Sequence, residues 1–167
     1  MQKSVEYSQA ISRKYPEQVV IAIAKDKKAK ANPVTLGWTM IASGEPAMMA
    51  ISVYEGHYSI DTIRHSKCFT IAFPSSDMSE AALFFGKHSG RDTDKFAQFE
   101  CATSEAAEID SVLLDDAVAN FECRLVWEKQ AGDHIIFVGE VVAAHINTED
   151  KKRLYTVGPG HKLSAAG

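Results

Sequence analysis

The apolar positions of the chain fall into six short runs whose lengths are typical of β-strands. The runs cover residues 18–24, 31–43, 47–53, 67–73, 117–128 and 134–146. In the fifth run, apolar residues alternate with Glu122 and Arg124, which predicts a strand with one apolar and one polar face. Short turn segments separate neighbouring runs, and the loop around Gly132 joins the last two as a hairpin. The pattern predicts antiparallel pairing, with the first three strands forming a meander.

Three segments between these runs change to helical spacing. Residues 57–64 predict a short helix with Ser59 as its N-cap, and residues 75–86 predict a second helix that ends at Gly86. A third short helix is expected to end near Phe99, and residues 102–116 are expected to form a connection with one short strand. Six or seven antiparallel strands with short helices favour a mainly β fold, a β-barrel with helical insertions.

The chain is expected to form a single domain over residues 1–167. Residues 1–17 form a polar leader, and residues 156–167 add a last edge strand or pack as a tail. With 167 residues, the chain is long enough to bury a hydrophobic core without disulfides.

Charge and cysteine content narrow the class of protein. The formal net charge is −4 without a basic stripe, which argues against a nucleic-acid partner. The three cysteines form no C-x-x-C pair, and their odd number favours a reducing, cytoplasmic location. The chain shows no secretory signal and no apolar stretch long enough to span a membrane, so no membrane association is expected.

Common catalytic motifs are absent. We find no G-x-G-x-x-G, Walker, G-x-S-x-G or H-E-x-x-H sequence, which removes the usual signatures of dinucleotide, nucleotide, hydrolase and zinc sites. The six histidines lack the spacing of metal ligands, so no metal is expected.

Residues 31–43 combine strand-like apolar residues with polar and aromatic exceptions. Asn32, Trp38 and Thr39 interrupt the run, and Gly37 precedes the indole. One interpretation is a core strand with a loosely packed glycine. The other is a strand that another backbone or a flat ligand approaches closely at Gly37.

The segment from Ser89 to Lys95 also has two interpretations. It is either an exposed turn that begins a helix, or an anion site in which backbone N–H groups, Arg91 and Lys95 hold a phosphate. His134 begins the last long strand, where it is either a rim side chain satisfied by solvent or a proton donor or cofactor contact.

Taken together in order, these residues resemble the flavin reductase-like family, and most closely its flavoredoxin branch. The resemblance rests on four segments spread over residues 18–160: Asn32 with Trp38-Thr39, His57-Tyr58-Ser59, Ser89-Gly90-Arg91-Asp92-x-Asp94-Lys95-Phe96, and Asp133-His134 before Val138-Gly139-Glu140-Val141. It implies an antiparallel, Greek-key split β-barrel that binds FMN, with the flavin near the subunit interface of a homodimer.

The resemblance also implies a set of site residues. The expected FMN contacts are Asn32, Trp38, Ser59, Lys95 and His134, with Thr39, Ser89 and Arg91 as further contacts. Of these, His134 is also expected to be catalytic. Two residues depart from the family pattern: Ser59 stands where relatives often have threonine, and Phe85 stands where flavoredoxin-like relatives often have cysteine. The second departure puts a thiol-dependent step in doubt.

Three functions remain open at this point. The first is an oxidoreductase that takes electrons from NAD(P)H and passes them to free flavin, a metal complex or a partner protein. The second is an FMN electron carrier with little NAD(P)H oxidase activity of its own. The third is a flavin-free barrel that serves as an interaction module.

Overall fold

The computed structural model describes residues 1–165, in which short helices accompany an extensive antiparallel sheet. The helices are α1 (Tyr7–Ile11), α2 (Ser59–Ser66), α3 (Ser79–Lys87) and α4 (Lys95–Gln98), with a 3-10 turn at Ser76–Met78. The strands are β1 (Glu17–Gln18), β2 (Val20–Lys25), β3 (Ala31–Leu36), β4 (Thr39–Gly44), β5 (Ala47–Tyr54), β6 (Cys68–Phe73), β7 (Thr103–Glu105), β8 (Val112–Leu114), β9 (Ala119–Ala131), β10 (His134–Ile146), β11 (Leu154–Gly158) and β12 (Lys162–Ala165).

Seven strands form one antiparallel sheet in the order β3-β2-β6-β9-β10-β5-β4. The two outermost strands, β3 and β4, are consecutive in the chain and are joined by Gly37 and Trp38 alone. A two-residue connection can join opposite edges only if the sheet curves back on itself. The sheet is therefore a barrel that remains split between β3 and β4, and the mainly β, antiparallel prediction is confirmed.

The prediction that residues 31–43 form one strand of a meander is wrong. β3 pairs with β2 and β4 pairs with β5, while no ladder joins β3 to β4. The carbonyl of Trp38 accepts a hydrogen bond from the N–H of Ser52 at 2.9 Å, so the connection between β3 and β4 lies against β5. Apolar residues continue on both sides of Gly37, so periodicity alone does not reveal the change of partner.

The core has two layers, one on each face of β2. Val20, Ala22 and Ala24 point into the barrel, where they join Phe69, Phe137 and other buried side chains. Ile21 and Ile23 point outward and pack with residues of α3, β8 and β11, including Phe85, Leu114 and Leu154. Burial on both faces explains why this strand is an uninterrupted apolar run.

The long hairpin of β9 and β10 contains a buried carboxylate that the alternation pattern placed on a polar face. Glu122 is fully buried, because the loop before β8 covers its side of β9. Its carboxylate accepts hydrogen bonds from the N–H groups of Ala107 at 2.8 Å and Glu108 at 2.7 Å, and it contacts Nε2 of His145 at 2.7 Å. Burial alone would raise the pKa of Glu122, but these contacts outweigh it and lower the pKa.

Further differences from the sequence-based prediction lie in the connections. Residues 102–116 contain two paired strands, β7 and β8, rather than one. The expected helix boundaries shift slightly, since Tyr58 rather than Ser59 is the N-cap of α2, and α3 continues through Gly86 to Lys87. Within the predicted tail, β11 pairs with β12 and with β1 of the leader; residues 166–167 lie outside the described residues. No helix within residues 1–165 is long and apolar enough to cross a membrane.

Candidate functional site

Two adjoining cavities lie where β3, α2, α3 and the loop before α4 meet. One, of about 320 Å³, is lined mainly by polar groups and is called here the polar cavity. The other, of about 410 Å³, is lined by Trp38, Tyr54, His134 and several apolar side chains and is called the aromatic cavity. Both are lined by His57, Gly86 and Lys87, so together they can hold one elongated ligand.

Lys95 forms the base of the polar cavity. Its helix, α4, is capped by Asp94, whose side chain accepts a hydrogen bond from the N–H of Ala97 at 3.1 Å. The lysine is 3% exposed, and Nζ donates to the carbonyls of Pro33 at 2.6 Å and Phe85 at 2.9 Å. Burial lowers the pKa of Lys95 to about 8. An ammonium group has three donors, so one remains for a ligand.

Asn32 and Ser59 form a polar pair in the cavity wall. Nδ2 of Asn32 donates to Oγ of Ser59 at 3.1 Å, and both side chains are buried. Oδ1 of Asn32 has no hydrogen-bond partner among residues 1–165, although it is inaccessible to solvent. A Cβ atom at Gly90 would lie 2.0 Å from this oxygen, so only glycine fits there without displacing Asn32.

The loop that carries Ser89 and Arg91 forms the exposed rim of the polar cavity. Oγ of Ser89 accepts a hydrogen bond from the N–H of Arg91 at 3.2 Å. The guanidinium group of Arg91 donates to the carbonyl of Gly56 at 3.3 Å and lies 3.5 Å from a carboxylate oxygen of Asp61. These contacts fasten the rim to the beginning of α2.

In the aromatic cavity, His134 lies between two aromatic rings. Its ring centroid is 4.5 Å from that of Trp38 and 5.7 Å from that of Tyr54. Nδ1 contacts a carboxylate oxygen of Asp133 at 2.7 Å. When Nδ1 carries the proton and donates it to Asp133, Nε2 is an acceptor in the neutral ring and a donor in the charged ring. Hydrogen bonding from His134 lowers the pKa of Asp133.

The polar leader contributes to the aromatic cavity as well. Lys14 and Tyr15 line it, and Nζ of Lys14 lies 5.7 Å from the ring centroid of Trp38. Lys14 also forms an ion pair with Glu17 at 2.6 Å. At the opposite wall, the exposed Lys87 lies at the end of α3. Sequence analysis missed both lysines because neither belongs to a recognisable motif.

His57 is the most informative residue that sequence analysis did not select. It lines both cavities, and its Nδ1 is buried with no hydrogen-bond partner among the described residues. Burial lowers the pKa of His57, and the charges of Lys95 and His134 lower it further. Its position in the His57-Tyr58-Ser59 segment was the available signal.

The structure brings most of the predicted site residues together. Ser59, Ser89, Arg91 and Lys95 line the polar cavity, Asn32 contacts Ser59 in its wall, and Trp38 and His134 line the aromatic cavity. Thr39 lies apart from both. Its hydroxyl donates to the carbonyl of Ala50 at 3.0 Å, and it lines a separate groove on β4 that also includes Trp38 and Met40.

The site offers different chemistry at its two ends. The polar cavity has a buried cation and hydroxyl groups, one of them hydrogen-bonded to Asn32, whereas the aromatic cavity offers ring faces and apolar side chains. This arrangement suits a ligand with an anionic group at one end and a flat ring system at the other. In the described part of the chain, no three His, Cys, Asp or Glu side chains are grouped so that they could hold a metal ion.

Comparison with curated proteins finds relatives at 23–27% sequence identity. A flavin reductase from Pseudomonas putida is 24% identical over 153 residues, which cover 92% of this chain and 86% of the relative. An NADH-dependent FMN reductase from Streptomyces nodosus subsp. asukaensis is 27% identical over 126 residues, or 75% of this chain and 66% of the relative. Matches to proteins from Archaeoglobus fulgidus and Pyrococcus abyssi span only 64% and 65% of those relatives.

Solved structures share the whole fold. The flavoredoxin of Methanosarcina acetivorans superposes with a TM-score of 0.86 and 25% sequence identity, covering 100% of this chain and 92% of the flavoredoxin. An FMN-binding protein from Thermus thermophilus has the same TM-score of 0.86 at 18% identity, covering 100% of this chain and 96% of the other, and supports the fold alone.

The model of the flavin reductase-like domain matches residues 12–162, which include every element from β1 to β11 and all residues that line the two cavities except Leu163. The protein therefore belongs to the flavin reductase-like family.

Proposed function

We propose that this protein binds FMN and transfers electrons from a reduced nicotinamide to free flavin, a metal complex or a partner protein. The observation that carries the proposal is the continuity of the two cavities through His57, Gly86 and Lys87. A phosphate and a flat ring at opposite ends of one ligand match the polar and aromatic ends of this site. Family membership supports flavin as the ligand.

The residues of the polar cavity would hold the phosphate. Lys95 has one free N–H, and the hydroxyl groups of Ser59 and Ser89 line the same cavity. Oδ1 of Asn32 can accept a hydrogen bond from a ligand hydroxyl or ring N–H, which would satisfy a buried atom that the fold leaves without a partner.

In the aromatic cavity, the residues would bind and orient the reacting groups. Trp38 offers an apolar ring face, and bound FMN would supply the hydride and electron chemistry. His134, held by Asp133, can donate a hydrogen bond or a proton from the rim of this cavity. The ammonium groups of Lys14 and Lys87 suit the phosphates of a nicotinamide donor.

A second candidate function is electron carriage without appreciable nicotinamide oxidation. It is favoured by the likeness to a flavoredoxin over the whole chain at 25% identity. The two functions share the flavin site and differ in whether the aromatic cavity admits a nicotinamide donor.

We also propose that the protein is a cytoplasmic homodimer. The three cysteines are free, as expected for a reducing compartment. Edge strand β4 exposes Met40 and Ile41, whose accessibilities are 59% and 78%, beside the half-exposed Trp38. Apolar side chains on an unpaired edge strand are typical of a surface that a partner covers.

The principal test of function is the absorption spectrum of the purified protein. We expect a flavin spectrum, release of FMN rather than FAD on heating, and bleaching by NADH or NADPH without oxygen. If dithionite reduces the bound FMN but neither NADH nor NADPH does, the protein is an electron carrier, as in the second candidate function. A colourless protein that does not take up added FMN would contradict both functions.

Replacement of Lys95 by alanine should weaken FMN binding by about 2 kcal/mol, roughly thirtyfold, because the phosphate loses a charge-assisted partner. Since the pKa of Lys95 in the free protein is about 8, affinity should fall as the pH rises above it, by roughly tenfold per pH unit. Fluorescence titration with FMN measures both effects.

Riboflavin, which lacks the phosphate, should show neither effect of Lys95. Replacement of Lys129 by alanine provides a matched control, because Lys129 is exposed on β9 away from both cavities. An unchanged FMN dissociation constant in a folded Lys95→Ala variant would remove Lys95 from the phosphate site.

Replacement of His134 by alanine should slow flavin reduction by NAD(P)H by roughly ten- to a hundredfold, the usual range for an orienting or proton-donating group. The FMN content should remain near that of the wild type, because His134 lies at the rim of the aromatic cavity. Anaerobic stopped-flow absorbance measures the rate, and His65→Ala on the exposed face of α2 is the control. Loss of flavin with a normal rate in excess FMN would make His134 a cofactor ligand only.

Replacement of Ile41 by aspartate should weaken the dimer by about 3 kcal/mol, roughly a hundredfold, because an apolar contact is lost and a charge would be buried. Sedimentation velocity over a dilution series measures the change. Ile146→Asp is the control, since Ile146 is 83% exposed at the end of β10, beyond the part that pairs with β5. A flavin-loaded wild-type monomer at all concentrations would exclude the dimer.

A further inference from the structure

His57 occupies a fixed position between the two cavities. Its N–H donates to the carbonyl of Tyr54 at 3.0 Å, and its carbonyl accepts from the N–H of Ile60 at 3.2 Å. The imidazole packs edge-on against the Tyr54 ring, with centroids 5.6 Å apart. The backbone and one ring face are thus held by the protein at the start of α2.

The fold does not provide a hydrogen-bond partner for one polar atom of this imidazole. Nδ1 is buried and has no hydrogen-bond partner among residues 1–165, although a buried polar atom without a partner is costly. The same side chain lines both the polar and the aromatic cavity. A ligand that fills these cavities is therefore the available partner for the ring.

The charged groups around His57 are mostly cationic. Lys95 of α4 and His134 of β10 both oppose a positive charge on it, and Lys87 at the end of α3 lines the same two cavities. Arg91 binds the carbonyl of the preceding residue, Gly56.

Asp92 also lines the polar cavity, while other nearby carboxylates are engaged elsewhere. Asp133 contacts His134, Asp61 lies beside Arg91, and Glu55 accepts a hydrogen bond from Gln130. Burial and then the cations Lys95 and His134 lower the pKa of His57, so its surroundings favour the neutral ring before a ligand binds.

We propose that His57 takes up a proton from solvent when a phosphate enters the polar cavity, and then holds the phosphate as a cation. The inference rests on the proposed FMN site and assigns a role to a residue outside the predicted set. The step balances: a neutral imidazole and a solvent proton become an imidazolium, which pairs with the phosphate dianion, and no electron moves.

The physical reason is that the phosphate reverses the sign of the electrostatic potential at the imidazole of His57. Before binding, the cations around His57 oppose its charge, whereas a phosphate dianion in the same cavity favours it. An opposite charge within about 4–6 Å typically raises the pKa of a base by 1–3 units. A histidine that is neutral before binding becomes charged in this field, so binding should be accompanied by proton uptake.

Two other groups contribute little at this pH. Lys95, with a pKa of about 8, is about one tenth uncharged before binding and takes up about 0.1 proton. The phosphate, with a second pKa of about 6, releases about 0.1 proton when it binds as the dianion. These opposite contributions cancel near pH 7.0, so the net uptake reports on His57.

Isothermal titration calorimetry at pH 7.0, in buffers with different ionisation enthalpies, measures this proton uptake directly. Protein freed of flavin is titrated with FMN and, separately, with riboflavin. We expect net proton uptake on FMN binding and close to none on riboflavin binding. Saturable FMN binding without proton uptake in the wild type would overturn the proposal while leaving the FMN site intact.

Variants locate the proton. His57→Gln, with His57→Asn if the first does not fold, should bind FMN with net uptake near zero, whereas His65→Gln, on the exposed face of α2, should keep the wild-type uptake. Equal uptake in wild type and a folded His57 variant would overturn the proposal, because another group would then carry the proton. Failure of the wild type to bind FMN at all would overturn the proposed function and this inference with it.

Discussion

The buried ammonium group of Lys95 is the interaction on which the polar end of the site depends. Its hydrogen bonds to the carbonyls of Pro33 and Phe85 connect α4, β3 and α3 at one point. Burial of this cation costs free energy, and the two carbonyls offset only part of that cost. The uncompensated part shows as a pKa lowered to about 8. A phosphate at this position would supply the missing negative charge. It would offset the cost of burying the cation, and this gain would contribute to the affinity for an anionic ligand.

Curvature of the sheet provides the other half of the site. Because β3 and β4 lie at opposite edges and are joined only by Gly37 and Trp38, the indole is placed at the gap where the barrel is split. β10 brings His134 to the same gap, and the ring centroids of Trp38 and His134 are 4.5 Å apart. The split therefore leaves an opening lined with aromatic rings at the place where α3 and α2 provide polar groups.

Three histidines illustrate how the surroundings decide what one residue type can do. His145 is satisfied by the buried Glu122 and stabilises a loop. His134 is oriented by Asp133 at the rim of the aromatic cavity. His57 has a buried nitrogen with no partner among residues 1–165 and lies among cations, which is the basis of the phosphate contact proposed for it.

Local patterns in the sequence specified much of this protein. Alternation and turn residues predicted most of the sheet strands, including β10 at its observed bounds. The order of four segments, around Asn32, Ser59, Ser89–Lys95 and His134, indicated the family, and residues from these segments lie together at the two cavities. Such features depend on neighbours in the chain, so periodicity and motif spacing reveal them.

Tertiary structure alone decided the features that depend on which surfaces meet. Residues 31–43 read as one apolar run, yet closure of the barrel sends the two halves to opposite edges, where β3 is largely buried and β4 exposes Met40 and Ile41. Glu122 reads as an exposed charge until a loop covers it, and His57 reads as part of a helix start until α3, α4 and β10 surround it. Burial and electrostatic field are properties of contacts between distant segments, and no local pattern of residues encodes them.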